Sequence, residues 1–183
     1  MRATDANKLQ EAKRTGKPLL GMTTYEGNPD LAGMLGYAGI EFLFIDNEHT
    51  PNDWKTLANV MRSCELSGIF PMLRVKKEYP GYPSNVRMAF EIGAGMVLVP
   101  HVNTRDEALA VVRAAKFNPK YKSGPAPADQ MRGIDRNTRA GRFVAVEPPA
   151  EYCKLEDEKR MVALLLEEPR AVENLEERAR IPG

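Results

Sequence analysis

Residues 95–115, GMVLVPHVNTRDEALAVVRAA, decide how the chain is read. The first part, GMVLVPHV, is short and nearly all apolar, the pattern of a strand buried on both faces of a parallel sheet. The second part puts Ala108, Val111, Val112 and Ala115 on one face of a helix, with Asn103 or Thr104 as its N-cap. A strand that runs straight into a capped amphipathic helix is one βα unit.

The unit recurs on both sides. Upstream, Thr4 or Asp5 caps a first helix that runs to about Arg14, and PLLGMTT reads as the first strand. Asn28-Pro29 opens a helix carrying Leu31, Met34 and Leu35, and IEFLFID is the second strand. Thr50 or Asn52 opens the next helix, whose apolar face is Trp54, Leu57, Val60, Met61 and Cys64; Gly68 closes it before the strand IFPMLRV. SNVRMAFEIGA then supplies the helix that leads into Gly95. Downstream, residues 117–148 break the rhythm with proline, glycine and basic residues. A helix near 149–158, a strand MVALLLE at 161–167 and a helix from Pro169 to about Ala179 follow.

Five strands joined by helical crossovers demand a parallel α/β sheet with right-handed connections, either doubly wound or a (β/α)8 barrel of the TIM type. No Gly-x-Gly-x-x-Gly follows the first strand, so a barrel is favoured over a dinucleotide-binding sheet. Such a barrel usually takes ~250 residues, and this chain of 183 residues supplies about five of its eight units. It reads as one domain, 1–183, the N-terminal portion of a barrel, with 117–148 as a basic Pro/Gly-rich loop insertion.

Composition narrows the function. At 43% apolar and 28% charged residues with a formal charge of +1, the chain exerts no global pull on nucleic acid or membrane. No apolar run approaches a bilayer span, and MRATDANKLQEAKRTGK lacks the apolar core of a signal peptide, so the expected compartment is the cytoplasm. Cys64 and Cys153 are too few and too far apart for a disulfide scaffold or a zinc site, and read as reduced packing thiols. The basic residues of 116–142 mark a solvated loop or a surface that draws an anionic substrate.

FIDNEHTP, MLRVKKE, LVPHVNT and LLLEEPR all place polar residues just after a strand, the rim where α/β folds bind ligands. Collected there are Asp46, Glu48, His49, Arg74, His101, Glu167 and Glu168. Glu167 can bind a hard divalent cation, Arg74 can grip a carboxylate with its planar fork, and His49 oriented by Asp46 can move a proton near neutral pH. Structural alternatives stand beside these roles. Asp46 and Glu48 suit helix caps, Arg74 can pair with Glu48 across strand ends, His101 suits a loop, and Glu168 suits the first turn of a helix.

Taken together, IDNEHTPNDW, PMLRV, GAGMVLVPHVNTRDEALAVVRAAKFNP, MRGID and LLLEEPRAVENLEERARIPG resemble the HpcH/HpaI aldolase family, metal-dependent class II aldolases that act on pyruvate. The resemblance implies a (β/α)8 barrel in a homo-oligomer, often a hexamer, with Mg²⁺, Mn²⁺ or Co²⁺ at the rim. It implies Glu167 as the metal-ligating carboxylate, Arg74 as the arginine that binds the pyruvate carboxylate, and Glu48 as an acid beside Arg74. His49 and Asp46 match the pair that serves proton transfer. The implied reaction is cleavage of a 4-hydroxy-2-oxo acid to pyruvate and an aldehyde through a metal-bound enolate, with no nucleic-acid or membrane partner. Oxaloacetate decarboxylation or a macrophomate-synthase-like reaction starts from the same enolate. A third alternative is a non-catalytic or split-enzyme assembly subunit.

The chain departs from the family pattern in three places. The pattern continues past a sequence like IPG into a sixth strand whose aspartate is the second metal ligand, whereas this chain stops at Gly183. Leu165 stands where many members have glutamine, and NPKYKSGPAPADQMRG is longer than the usual link. Five units leave an open strand edge and an uncovered apolar interior, which invites a covering chain and weak metal binding.

Overall fold

The computed structural model describes residues 8–77, 82–118, 131–135, 137–140 and 149–181. In chain order the elements are α1 (Lys8–Thr15), β1 (Gly21–Thr24), α2 (Pro29–Tyr37), β2 (Phe42–Asp46), α3 (Trp54–Ser67), β3 (Phe70–Arg74), α4 (Tyr82–Glu91), β4 (Met96–Val99), α5 (Arg105–Ala115), α6 (Pro149–Lys159), β5 (Met161–Leu164), α7 (Pro169–Glu173) and α8 (Leu175–Ala179). All five strands are parallel and stand in the order β1-β2-β3-β4-β5. Every crossover therefore moves one place in the same direction. A doubly wound sheet would reverse partway, and among the described strands no reversal occurs.

Local chemistry sets the helix ends. Asn28 accepts from the N–H groups of Asp30 and Leu31 ahead of Pro29, and Thr104 forms a capping box with Glu107. For α3 the cap is Asp53, which accepts from the Thr56 N–H at 2.7 Å, and not Thr50 or Asn52. Those two side chains are spent on the preceding loop. Gly68 ends α3 in the left-handed region at φ 75°, a conformation that costs glycine nothing. The last expected helix is two short ones that meet at Asn174.

Side chains alternate across the sheet. Leu43, Ile45, Leu73, Val75, Val97 and Val99 face the helices and join Leu57, Val60, Met61, Cys64, Ala108, Val111 and Ala114 in the main core. The other face carries Phe70, Met96 and Leu98, packed against partly buried Phe42, Phe44, Met72, Met161, Ala163 and Leu165. Both cysteines are buried free thiols, and burial pushes the Cys64 thiol up to about 12. Among the described residues no helix is long and apolar enough to cross a membrane.

Much of the basic segment lies outside the described residues. Two of its arginines, expected on a solvated or anion-drawing surface, are instead tied into the fold. Arg132 is 1% exposed, 5.4 Å and 4.2 Å from the Phe90 and Phe117 ring centroids and 3.2 Å from Glu91. Arg139 pairs with Glu65 on α3. Stacking on aromatic faces suits the weakly hydrated guanidinium, which is why a cation can be buried there.

The core carries the stability. Leu73→Ala, on β3 and fully buried, is expected to cost about 2–5 kcal/mol in urea denaturation. Tyr37→Ala, at a position 95% exposed, is expected to change it by less than about 0.5 kcal/mol.

Candidate active site at the strand ends

The site starts from register. Asp46 and Arg74 end β2 and β3 and are direct partners across the parallel pair, so their side chains leave the same face side by side. The Arg74 guanidinium donates from Nε to Asp46 Oδ1 at 2.8 Å and from Nη2 to Oδ2 at 2.6 Å, a two-point clamp. Arg74 also lies over the Phe44 ring, 5.9 Å from its centroid, so the pair rests on an apolar floor. Asp46 has no solvent exposure. Burial alone would raise its carboxyl; the Arg74 clamp and the Glu48 N–H, which donates to Oδ1 at 2.8 Å, outweigh this and hold it below the usual range.

The expected pairing of Asp46 with His49 is present as a charge interaction at longer range. The carboxylate beside His49 is Glu48, whose Oε2 lies 3.5 Å from His49 Nε2. The His49 side chain is 65% exposed and open to the rim. Glu48 also faces Arg74 Nη1 at 3.1 Å and His101 Nε2 at 3.2 Å. The turn that carries these residues is pinned by Thr50, whose hydroxyl donates to the Asp46 carbonyl at 2.9 Å, and by Asn52, which donates to Thr50 Oγ1 at 2.8 Å. Asn52 Oδ1 in turn accepts from the Gly27 N–H at 3.1 Å, fastening the loop after β1 to the loop after β2.

The second arm comes from the end of β5. Glu167 Oε1 accepts from the His101 N–H at 2.8 Å and lies 3.4 Å from His101 Nδ1. Glu168 is the N-cap of α7 but makes no side-chain cap. Its carboxylate turns to His101 Nδ1 at 2.7 Å and accepts from Asn103 Nδ2 at 2.6 Å. Those two contacts, His101 first, hold Glu168 below the usual carboxylate range. The two residues set aside as a loop histidine and a first-turn acid thus join both arms. Their place after a strand is legible in the local sequence, but their pairing is not, because the contact spans 67 residues.

All five expected site residues, Asp46, Glu48, His49, Arg74 and Glu167, belong to this one rim, linked through His101. A divalent cation such as Mg²⁺ wants about six oxygen ligands. Glu167 offers a hard carboxylate with one oxygen already oriented by a backbone N–H and the side chain one-third exposed, which fits one corner of such a sphere. Among the described residues no three His, Cys, Asp or Glu side chains converge to complete it.

The Arg74 clamp yields a direct expectation. Arg74→Ala leaves the Asp46 charge buried and unpaired, which should cost about 3–5 kcal/mol at pH 7. Because the Asp46 carboxyl is depressed in the folded state, the pair's contribution is full above the ordinary aspartate value. It is lost as pH falls through the lower folded one, so the cost should shrink toward pH 3. Urea midpoints from pH 3 to 7 measure this, and a cost independent of pH would contradict the assignment.

A sequence model of the HpcH/HpaI aldolase/citrate lyase family matches residues 21–183. The chain is 29% identical over 171 residues to the 2-dehydro-3,6-dideoxy-6-sulfogluconate aldolase of Pseudomonas putida, covering 93% of this chain and 61% of that protein. It is 30% identical over 180 residues to the 4-hydroxy-2-oxovalerate aldolase of Rhodococcus jostii, covering 97% and 63%. The crystal structure of an HpcH/HpaI aldolase/citrate lyase family protein from Burkholderia cenocepacia superposes with a TM-score of 0.81 at 30% identity, over 97% of this chain and 66% of that one. The chain spans about three fifths of the length of the curated relatives it matches. With the family's pattern running from β1 to its last residue, the chain belongs to the HpcH/HpaI aldolase/citrate lyase family.

Proposed function

We propose that this chain serves a metal-dependent carbon–carbon lyase, an aldolase that cleaves a 4-hydroxy-2-oxo acid to pyruvate and an aldehyde on a (β/α)8 barrel. The observation that carries the reading is the meeting of Arg74, Glu48, His49 and Glu167 at one rim. The relatives' own names, aldolases in both cases, support it.

The residues divide the work. Arg74 spends two N–H groups on Asp46 and turns its remaining edge toward Glu48. A substrate carboxylate reaches that edge by displacing Glu48, which has His49 and His101 within reach as alternative partners. Asp46 keeps the guanidinium planar to the rim throughout, so substrate meets a fork already oriented. His49, exposed and beside Glu48, takes the proton of the 4-hydroxyl. The bond between C3 and C4 then breaks. Its electron pair stays on the three-carbon fragment as the enolate, C4 departs as the aldehyde, and a proton delivered to C3 gives pyruvate.

Glu167 would hold the cation, and substrate oxygens and water would take other positions around it. A bound divalent cation supplies electrophilic stabilisation of the developing enolate charge. In line with this, no lysine is needed as a Schiff-base nucleophile. The homo-oligomeric assembly and the small-molecule partners expected from the family belong to the same proposal.

The test is exchange of the pyruvate methyl protons in D₂O, followed by NMR with and without Mn²⁺ or Mg²⁺. Exchange should require the cation and should fall about 10²–10⁴-fold in His49→Ala. It should also be lost in Glu167→Ala. Absence of exchange with any cation would favour a non-catalytic or incomplete assembly subunit instead.

A further inference from the structure

His101 is the one non-glycine residue with positive φ among the described residues, at 54°. A side chain with a β-carbon enters this region at a cost, so its surroundings must hold it there. They do so at each of its polar groups. The N–H donates to Glu167 Oε1 at 2.8 Å, the carbonyl accepts from Lys77 Nζ at 2.7 Å, Nδ1 lies 2.7 Å from Glu168 Oε1, and Nε2 lies 3.2 Å from Glu48 Oε1. Those four partners come from the segments that follow β2, β3 and β5, while His101 itself follows β4.

We propose that His101 is a positioning residue: its left-handed backbone aims the N–H at Glu167, and its ring ties Glu167 and Glu168 to the Glu48–Arg74 arm. β4 and α5 fix the chain on either side of this turn, so a negative φ at His101 would have to be offset by rotating the 100–101 peptide, which turns its N–H away from Glu167. The inference rests on the reading of Glu167 as the cation ligand, and it deepens that reading by naming what holds the ligand in place. The backbone conformation, more than the imidazole, sets the Glu167 geometry.

Two substitutions separate backbone from ring. His101→Gly removes the imidazole but adopts the left-handed conformation freely; His101→Val removes the imidazole and opposes that conformation. Mn²⁺ affinity, titrated by electron paramagnetic resonance on the unreacted protein, should stay within about threefold of wild type in the glycine form and fall about tenfold or more in the valine form. Equal affinities in the two variants would overturn the proposal. If the valine form does not fold, His101→Ala replaces it, with a smaller loss in the same direction expected.

A second readout needs no metal. The backbone amide proton resonance of residue 101 should move when Glu167 is changed to Gln and keep its wild-type position in Glu173→Gln. If the wild-type protein binds no Mn²⁺ yet the amide responds to Glu167→Gln, the positioning stands and the cation reading of Glu167 falls. An amide that ignores Glu167→Gln sinks the positioning itself.

Discussion

The clamp between Arg74 and Asp46 is the interaction on which the site depends. Two opposite charges that leave water at neighbouring strand ends are tolerable only when each satisfies the other, and here the match is two-pointed and planar. With both Asp46 oxygens on Arg74, its effect on His49 is a longer-range charge interaction, and Glu48 is the carboxylate next to the ring. Glu48 then sits among three nitrogen groups, Arg74, His49 and His101, none of which holds it alone.

The sheet makes this possible by separating its two faces. Odd-numbered β2 positions such as Leu43 and Ile45 enter the helix-covered core, while Phe42, Phe44 and Asp46 share the other face. The same alternation runs through Phe70, Met72 and Arg74, and through Met161, Ala163 and Leu165 toward Glu167. Apolar side chains therefore floor the rim from below, as Phe44 does under Arg74. A low-dielectric floor strengthens every charge pair above it. Leu165 joins this floor and leaves the polar work to its neighbours.

The links between strand ends are long in sequence and short in space. Glu48 and His101 meet across 53 positions by their numbering, and His101 meets Glu168 across 67. No local pattern reports such a meeting. His101 resembled a loop residue because a histidine before a helix cap usually is one, and Glu168 resembled a first-turn acid because it precedes Pro169. Arg132 and Arg139 follow the same rule: a basic run looks solvated until Phe90, Phe117, Glu91 and Glu65 are brought against it from α4, α3 and the segment after α5.

The sequence by itself determined the order of strands and helices, most of the caps and glycine stops, and the family motifs. These are local: periodicity, capping and backbone freedom act within a few residues, and Asn28, Thr104 and Gly68 behave as their types require. Tertiary structure alone decided who pairs with whom at the rim. The partner of Asp46 depends on the β2–β3 register, and the left-handed turn at His101 depends on the carboxylates that β5 delivers to it. The strength of a charge pair is set by distance and burial, and both exist only after the chain has folded.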